Sequence, residues 1–344
     1  MSFFFSFGTF AFLLIVGSSR AADVHHRGPS SSSSSSSSSP IRMIVDTDIG
    51  PWPDDNGAFS ILHSFADQGL VDLLAIVSNN RYEGAVAVID AMNSYFNRST
   101  IPIGITHDPH AWHRSGVIGW PEWLLAHLPH RPHFRSNEQA EEAVSLYRRT
   151  LAAEADHSVT LLSIGYMTNL ANLLHSKGDH HSPLNGRQLL IAKVKHMFAM
   201  AGWYPAGNET NLIDQPAASQ ATLPHWPTPL TLVGFEAGEK ITCGMNLIDP
   251  ATNRSLHQFS PVAKAFELYN RVIGEPDGCF DELAAYVAVK GTRPLYELQR
   301  GQIVVYPNGN NSWIDDHLHG PQQYVKQVVP NQAILDVLNP LLER

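Results

Sequence analysis

Four aspartates fall within ten residues, Asp46, Asp48, Asp54 and Asp55, in the stretch Met43–Ala58 that reads MIVDTDIGPWPDDNGA. Carboxylates crowded this closely repel one another unless a cation sits among them. A set of oxygen ligands suits a hard divalent ion, and Ca2+ tolerates an irregular cage better than Mg2+ does. The spacing is unlike an EF-hand loop, which needs acids at alternating positions and a closing glutamate. A plainer reading stands beside this one, in which one aspartate caps a helix and the others form turns or face solvent.

Three histidines, His107, His110 and His113 in ITHDPHAWH, form a second group able to do chemistry. Their spacing, with Pro109 inside it, fits no common zinc motif. They follow an apolar run and would lie on the ligand face as proton donors, or simply be solvated loop residues.

The elements that must hold these groups are legible as short apolar runs. Arg42–Val45 reads as a buried parallel strand with the first aspartates at its carboxyl end. Val71–Ser78, Ile101–Ile105, Ser158–Ile164, Val194–Met200 and Pro229–Gly234 read as further strands. Helical patterns follow Asp54-Asp55 and cover Ala85–Phe96, Glu138–Ala155 and Thr168–His175. Strands alternating with helices predict a single α/β domain with a mostly parallel, Rossmann-like central sheet flanked by helices. Ligands of such sheets bind beyond the carboxyl ends of the strands, where the aspartates are expected.

The chain of 344 residues has an apolar leader from about Phe3 to Val16 and a small-x-small site at Ser19-Arg20-Ala21. The leader is shorter than a membrane span needs, so a signal peptide over 1–22 and secretion are expected, with no membrane attachment after cleavage. Sequons beginning at Asn97, Asn208, Asn253 and Asn310 agree with that route. Ten serines, Ser30–Ser39, make 23–40 a disordered spacer, and 41–344 one folded domain. A net charge of −9 argues against a nucleic-acid polymer as partner, which would need basic patches. Cys243 and Cys279 are too few for a disulfide framework; one bridge between them is left open.

Met43–Ala58 resembles the opening motif of the inosine-uridine-preferring nucleoside hydrolase family, in a subgroup where DTDIG is followed by three residues and DD. Further segments follow in the family's order. Asn80 in IVSNN is similar to the asparagine after the second strand, and Leu161–Ala171 to the family's GPLTNIA segment. Met200-Ala201-Gly202 resembles its MGG. Glu209-Thr210-Asn211 with Asp214, Pro216 and Ala217 resembles EFN…DPxA. Phe235–Gly238 resembles a GFExG turn, Asp281 in CFDELAAYVAV the late helix-opening aspartate, and His319–Leu342 the closing segment. The resemblance spans about residues 42–344.

It implies hydrolysis of the N-glycosidic bond of ribonucleosides, or of a related N-ribosyl compound, to base and ribose with one bound Ca2+. Asp48, Asp55 and Asp281 would ligate the ion through carboxylates, and Ile164 through its carbonyl. Asp48 would also be the general base on a metal-bound water. Asp54, Asn80, Glu209, Asn211 and Asp281 would hold the ribose hydroxyls. The expected partner is a small nucleoside; relatives are commonly dimers or tetramers, so a homo-oligomer is open. The chain departs from the pattern at Phe280, where many relatives carry a histidine that protonates the leaving base. Thr210 stands where phenylalanine is usual, Asn208 begins a sequon beside the site, and Trp203 and Tyr204 could line the base pocket or merely pack its wall. A non-catalytic nucleoside- or sugar-binding relative that keeps the calcium site is the alternative.

Overall fold

The apolar runs read in the sequence become the middle of one large sheet. The computed structural model describes residues 39–343 apart from 112, 114–117, 130–133 and 258. The leader and the serine spacer lie outside the described residues, except for Ser39 and Pro40.

In chain order the strands are β1 (Ile41–Thr47), β2 (Val71–Ser78), β3 (Ile103–Ile105), β4 (Glu141–Glu142), β5 (Val159–Ile164), β6 (Val194–Met200) and β7 (Ala206–Gly207). They continue with β8 (Leu230–Val233), β9 (Ile248–Asp249), β10 (Arg254–Ser255), β11 (Tyr296–Val305), β12 (Asn311–Asp315) and β13 (Gln322–Gln327). The main sheet has 11 strands in the order β4-β3-β2-β1-β5-β6-β8-β13-β11-β12-β7, and β9 pairs with β10 apart from it. Neighbours from β4 to β13 run parallel, while β11, β12 and β7 extend the sheet antiparallel. The chain lays β2, β3 and β4 outward on one side of β1, then returns with β5 on the other. This reversal opens a crevice beyond the carboxyl ends of β1 and β5, where parallel sheets bind ligands.

Both faces of the sheet are covered, and side chains alternate between the two cores. Met43, Val45, Ile76, Leu162 and Ile164 pack into one core with Phe59, Ile61 and Phe65 from the helix Asp54–Asp67. Ile44, Ala75, Val77 and Leu161 pack into the other with Leu146, Tyr147 and Leu151 from the helix Ala143–Ala153. That double burial is why these strands are apolar without interruption.

Three departures from the expected elements matter. The first strand continues to Thr47, so Asp46 lies inside it. The helix expected over Glu138–Ala155 is divided into a 3-10 turn at Asn137–Gln139 with a capping box from Ser136, the edge strand β4, and a helix from Ala143. Glu141 and Glu142 pair with Gly104 and Ile105, and that ladder overrides local helix propensity. Third, β11–β13 were not foreseen, because strands with one partly exposed face carry no long apolar run. Among the described residues no helix is long and apolar enough to cross a membrane.

Cys243 and Cys279 are joined by a disulfide across a separation of 36 residues, and both are buried. The bridge ties the segment after β8 to the residues just before the helix Asp281–Lys290. Closing a loop of this length restricts the unfolded chain and contributes about 3–4 kcal/mol. The double variant Cys243→Ala/Cys279→Ala should lose roughly that much in urea unfolding; a loss below about 1 kcal/mol would contradict the assignment.

Candidate active site

The site is assembled from one strand end and two helix starts. β1 delivers Asp46 and Thr47 and is followed directly by Asp48. The loop to Pro53 turns the chain so that Asp54 and Asp55 form the first turn of the helix Asp54–Asp67. Asp281 and Glu282 open the helix Asp281–Lys290. Neither helix has a side-chain cap, so free backbone N–H groups and the positive ends of two helix dipoles point toward the acids.

Asp54, Asp55 and Asp281 each offer a carboxylate oxygen within 4.8 Å of the others, and all three are buried. Thr47 Oγ1 donates to Asp55 Oδ1, while Asp55 Oδ2 is buried with no partner. Burial first, then the charge of Asp54, pushes the Asp48 carboxyl well above its ordinary range. Burial followed by Asp48 and Asp54 does the same to Asp55, and burial followed by Asp54 and Asp55 to Asp281. Burial pushes Asp54 itself up to about 6. These mutual effects place Asp48 beside the trio.

Glu282 was missed by the sequence reading. It is fully buried, neither carboxylate oxygen has a partner, and burial and Asp54 push its carboxyl well up. It packs on Gly57, where a Cβ would meet its Oε1 at 2.2 Å. Two acids in succession after Phe280 were its only signal. Gly165, after Ile164, is required by close approach: a Cβ there would sit 2.6 Å from the Asp48 nitrogen.

A buried network supports the strand end from behind. Asp46 accepts from Tyr147 at 2.8 Å, Asn79 at 2.6 Å and Asn169 at 3.3 Å. Burial outweighs these bonds and pushes its carboxyl up to about 7. Asn79 Oδ1 in turn accepts the Tyr166 N–H, which fixes the turn after β5.

A cavity of about 320 Å³ opens onto the cluster. Asp48, Asp54, Ile164, Glu209, Asn211 and Asp281 line it, as do Met200, Thr210 and Phe280. Glu209 accepts from the backbone of Gly202 at 3.0 Å and of Asn211 at 2.6 Å, and burial pushes it up to about 7. Asn211 donates to the Met200 carbonyl at 3.1 Å. Asp55 stands behind this wall in the acidic trio.

Asn80 does not line the cavity. Its amide donates to the Asp48 carbonyl at 3.0 Å and its oxygen accepts from Tyr82 N–H, so it holds the loop that carries Asp48. His107, His110 and His113 are exposed and stay outside the cavity; His107 lines a separate cleft with Arg81 and Glu138. Trp203 packs at a tilt against Phe235, and Tyr204 is a core residue bonded to the Ala201 carbonyl, so both pack the wall. Asn208 is exposed, with Glu209 beside it turned inward. A second cluster, Asp179, His180 and His181, lies near the surface, where Arg148 bonds both Asp179 oxygens.

No curated protein shows significant sequence similarity to the chain. Solved structures share its fold. A plant nucleoside hydrolase matches with a TM-score of 0.63 at 17% identity, over 88% of this chain and 99% of its own. The purine-preferring ribonucleoside hydrolase of Gardnerella vaginalis matches with 0.65 at 17%, over 88% and 98%. A type III effector crystallised with adenosine diphosphate ribose matches with 0.61 at 15%, over 88% and 94%. Identities this low establish the fold alone. The sequence itself matches the family model described as inosine-uridine preferring nucleoside hydrolase over residues 43–332, nearly the whole of the folded part. On that match the chain belongs to the inosine-uridine preferring nucleoside hydrolase family, whose members are N-glycosyl hydrolases.

Proposed function

We propose that the protein is a Ca2+-dependent hydrolase that cleaves the N-glycosidic bond of ribonucleosides, or of a related N-ribosyl compound, outside the cell. The observation that carries this reading is the buried trio Asp54, Asp55 and Asp281, with Asp48 beside it and an unpartnered oxygen on Asp55. Buried carboxylates without counter-charge are costly, and among the described residues no lysine, arginine or histidine lines the cavity they face. The donor set is all oxygen and irregular, which fits Ca2+. Asp48, Asp55, Asp281 and the Ile164 carbonyl would hold the ion, with Asp54 close enough to join them.

Bound there, Ca2+ supplies the charge that keeps the carboxylates ionised and makes water more acidic. Asp48 takes the proton from the attacking water. Asp54, Glu209 and Asn211 face the cavity and provide acceptors and an amide for ribose hydroxyls. Positive charge that develops on the sugar in an oxocarbenium-like transition state is stabilised by the same carboxylates. Asn80 contributes by fixing the Asp48 loop rather than by reaching the sugar. The apolar leader of the sequence and the Cys243–Cys279 bridge support an oxidising, extracellular setting.

Asp48→Ala should lower kcat/KM for ribose release from the preferred riboside by roughly 10³-fold, the range of a lost general base. Turnover within about threefold of the unaltered protein would sink the mechanism.

Calcium should also stabilise the protein in a pH-dependent way. The cluster carboxyls have folded pKa values raised above their unfolded ones, near 4. Each therefore favours the fold when protonated, and that contribution is lost as pH rises from about 4 through the folded value, about 6 for Asp54 and higher for Asp48, Asp55 and Asp281. Bound Ca2+ offsets the loss, so the calcium-induced rise in Tm should grow between about pH 5 and about pH 7. A calcium effect that is flat or shrinks over this interval in scanning calorimetry would contradict the cluster as the binding site.

A further inference from the structure

The cavity is acidic beyond what a cation site requires. Away from the trio, Glu239, Glu275 and Asp277 also line it. Among the described residues no basic side chain does; Lys240 approaches Glu239 at 3.5 Å from the solvent side and is 81% exposed. Asp277 is the informative member. It is only 8% exposed, Oδ1 accepts from Gly278 N–H at 2.9 Å, and Oδ2 is buried with no partner. The Tyr269 hydroxyl faces the same carboxyl.

Aromatic rings complete this end of the cavity. Trp52 and Tyr269 meet edge to face with centroids 6.1 Å apart, and Phe235 stacks on Phe280 at 4.9 Å. All four line the cavity. Aromatic faces beside a carboxylate that has no cationic partner are the usual recognition chemistry for a flat organic cation. A neutral purine or pyrimidine could offer that oxygen an N–H, but only a cationic ring adds a charge to pair with it.

The same wall lacks a proton donor of the usual kind. Phe280 precedes Asp281, and no histidine among the described residues lines the cavity. A neutral base leaves as an anion and needs a proton on its nitrogen. A base that is already cationic does not. When water adds to C1′, the C1′–N bond breaks with its electron pair going to the ring nitrogen. The cationic ring thereby departs as a neutral base, and the surplus proton of the water passes to Asp48 and then to solvent.

We propose that the preferred substrate is an N-riboside with a permanently cationic base, of the N-ribosylpyridinium kind, seated among Trp52, Phe235, Tyr269 and Phe280 with its charge against Asp277. This rests on the N-ribosyl hydrolase reading and names the substrate class of that site.

The test compares kcat/KM for nicotinamide riboside and 7-methylguanosine, both cationic, with inosine, guanosine and uridine, in the calcium-loaded protein and in Asp277→Asn. The cationic ribosides should be cleaved at least about 100-fold better, the lower range of what a general acid supplies to a neutral base. Asp277→Asn should cut the ratio of cationic to neutral turnover by about tenfold, as expected for removing one charge partner. Neutral nucleosides cleaved as well as cationic ones would overturn the proposal. So would an Asp277→Asn variant that loses mainly neutral substrates, because Asp277 would then be the proton donor. Cleavage of no riboside, cationic or neutral, would overturn the hydrolase reading beneath it, so the two failures are told apart.

Discussion

Taking a carboxylate out of water without a counter-charge costs several kcal/mol even after relaxation. This fold does so with Asp48, Asp54, Asp55 and Asp281 together, at the carboxyl end of β1 and the first turns of two helices. The helix N-termini ease the cost but do not remove it, since each uncapped end carries only about half a unit of positive charge. A divalent cation bound among them would satisfy all of them at once. Much of the surrounding structure follows from that arrangement. Gly165 lets β5 approach the Asp48 backbone, Gly57 leaves room for Glu282, and Asn80 pins the loop between the strand and the helix.

The opposite wall of the cavity has a different character. Its rings are held by elements outside the parallel part of the sheet: Phe235 by the turn after β8, Tyr269 by the helix Pro261–Ile273, and Phe280 by the approach to the late helix. The Cys243–Cys279 bridge anchors the residue immediately before Phe280. One side of the cavity thus presents acids on a rigid scaffold. The other presents aromatic faces and Asp277, which has no cationic partner.

What the sequence disclosed depended on how local the signal was. The strand Val71–Ser78 and the helix Thr168–His175 were read with their observed limits, because each is a short uninterrupted pattern bounded by turn residues. The aspartates were legible as a cluster because four of them share one segment. Asp281 lies more than two hundred residues away, and only the resemblance of CFDELAAYVAV to a family segment brought it in. Asp277 and Glu282 were not found, since a single acid near a helix start is ordinary and only packing shows that these two are buried and unpaired. Asn80 was expected to hold a ribose hydroxyl; its amide donates to the Asp48 carbonyl and its oxygen accepts from Tyr82 N–H, and no pattern in IVSNN distinguishes that from a pocket-facing amide. The strands β11–β13 escaped because half-exposed strands lack the apolar run that marks the buried ones.

The account stands on a cation held by the buried trio. Equilibrium dialysis of the chelator-treated protein against Ca2+, with bound metal counted per chain, measures this directly. One ion per chain, with binding weakened by at least about 100-fold in Asp55→Asn and in Asp281→Asn, is the predicted result. A folded protein that takes up no calcium, or whose calcium is indifferent to both substitutions, would contradict the account.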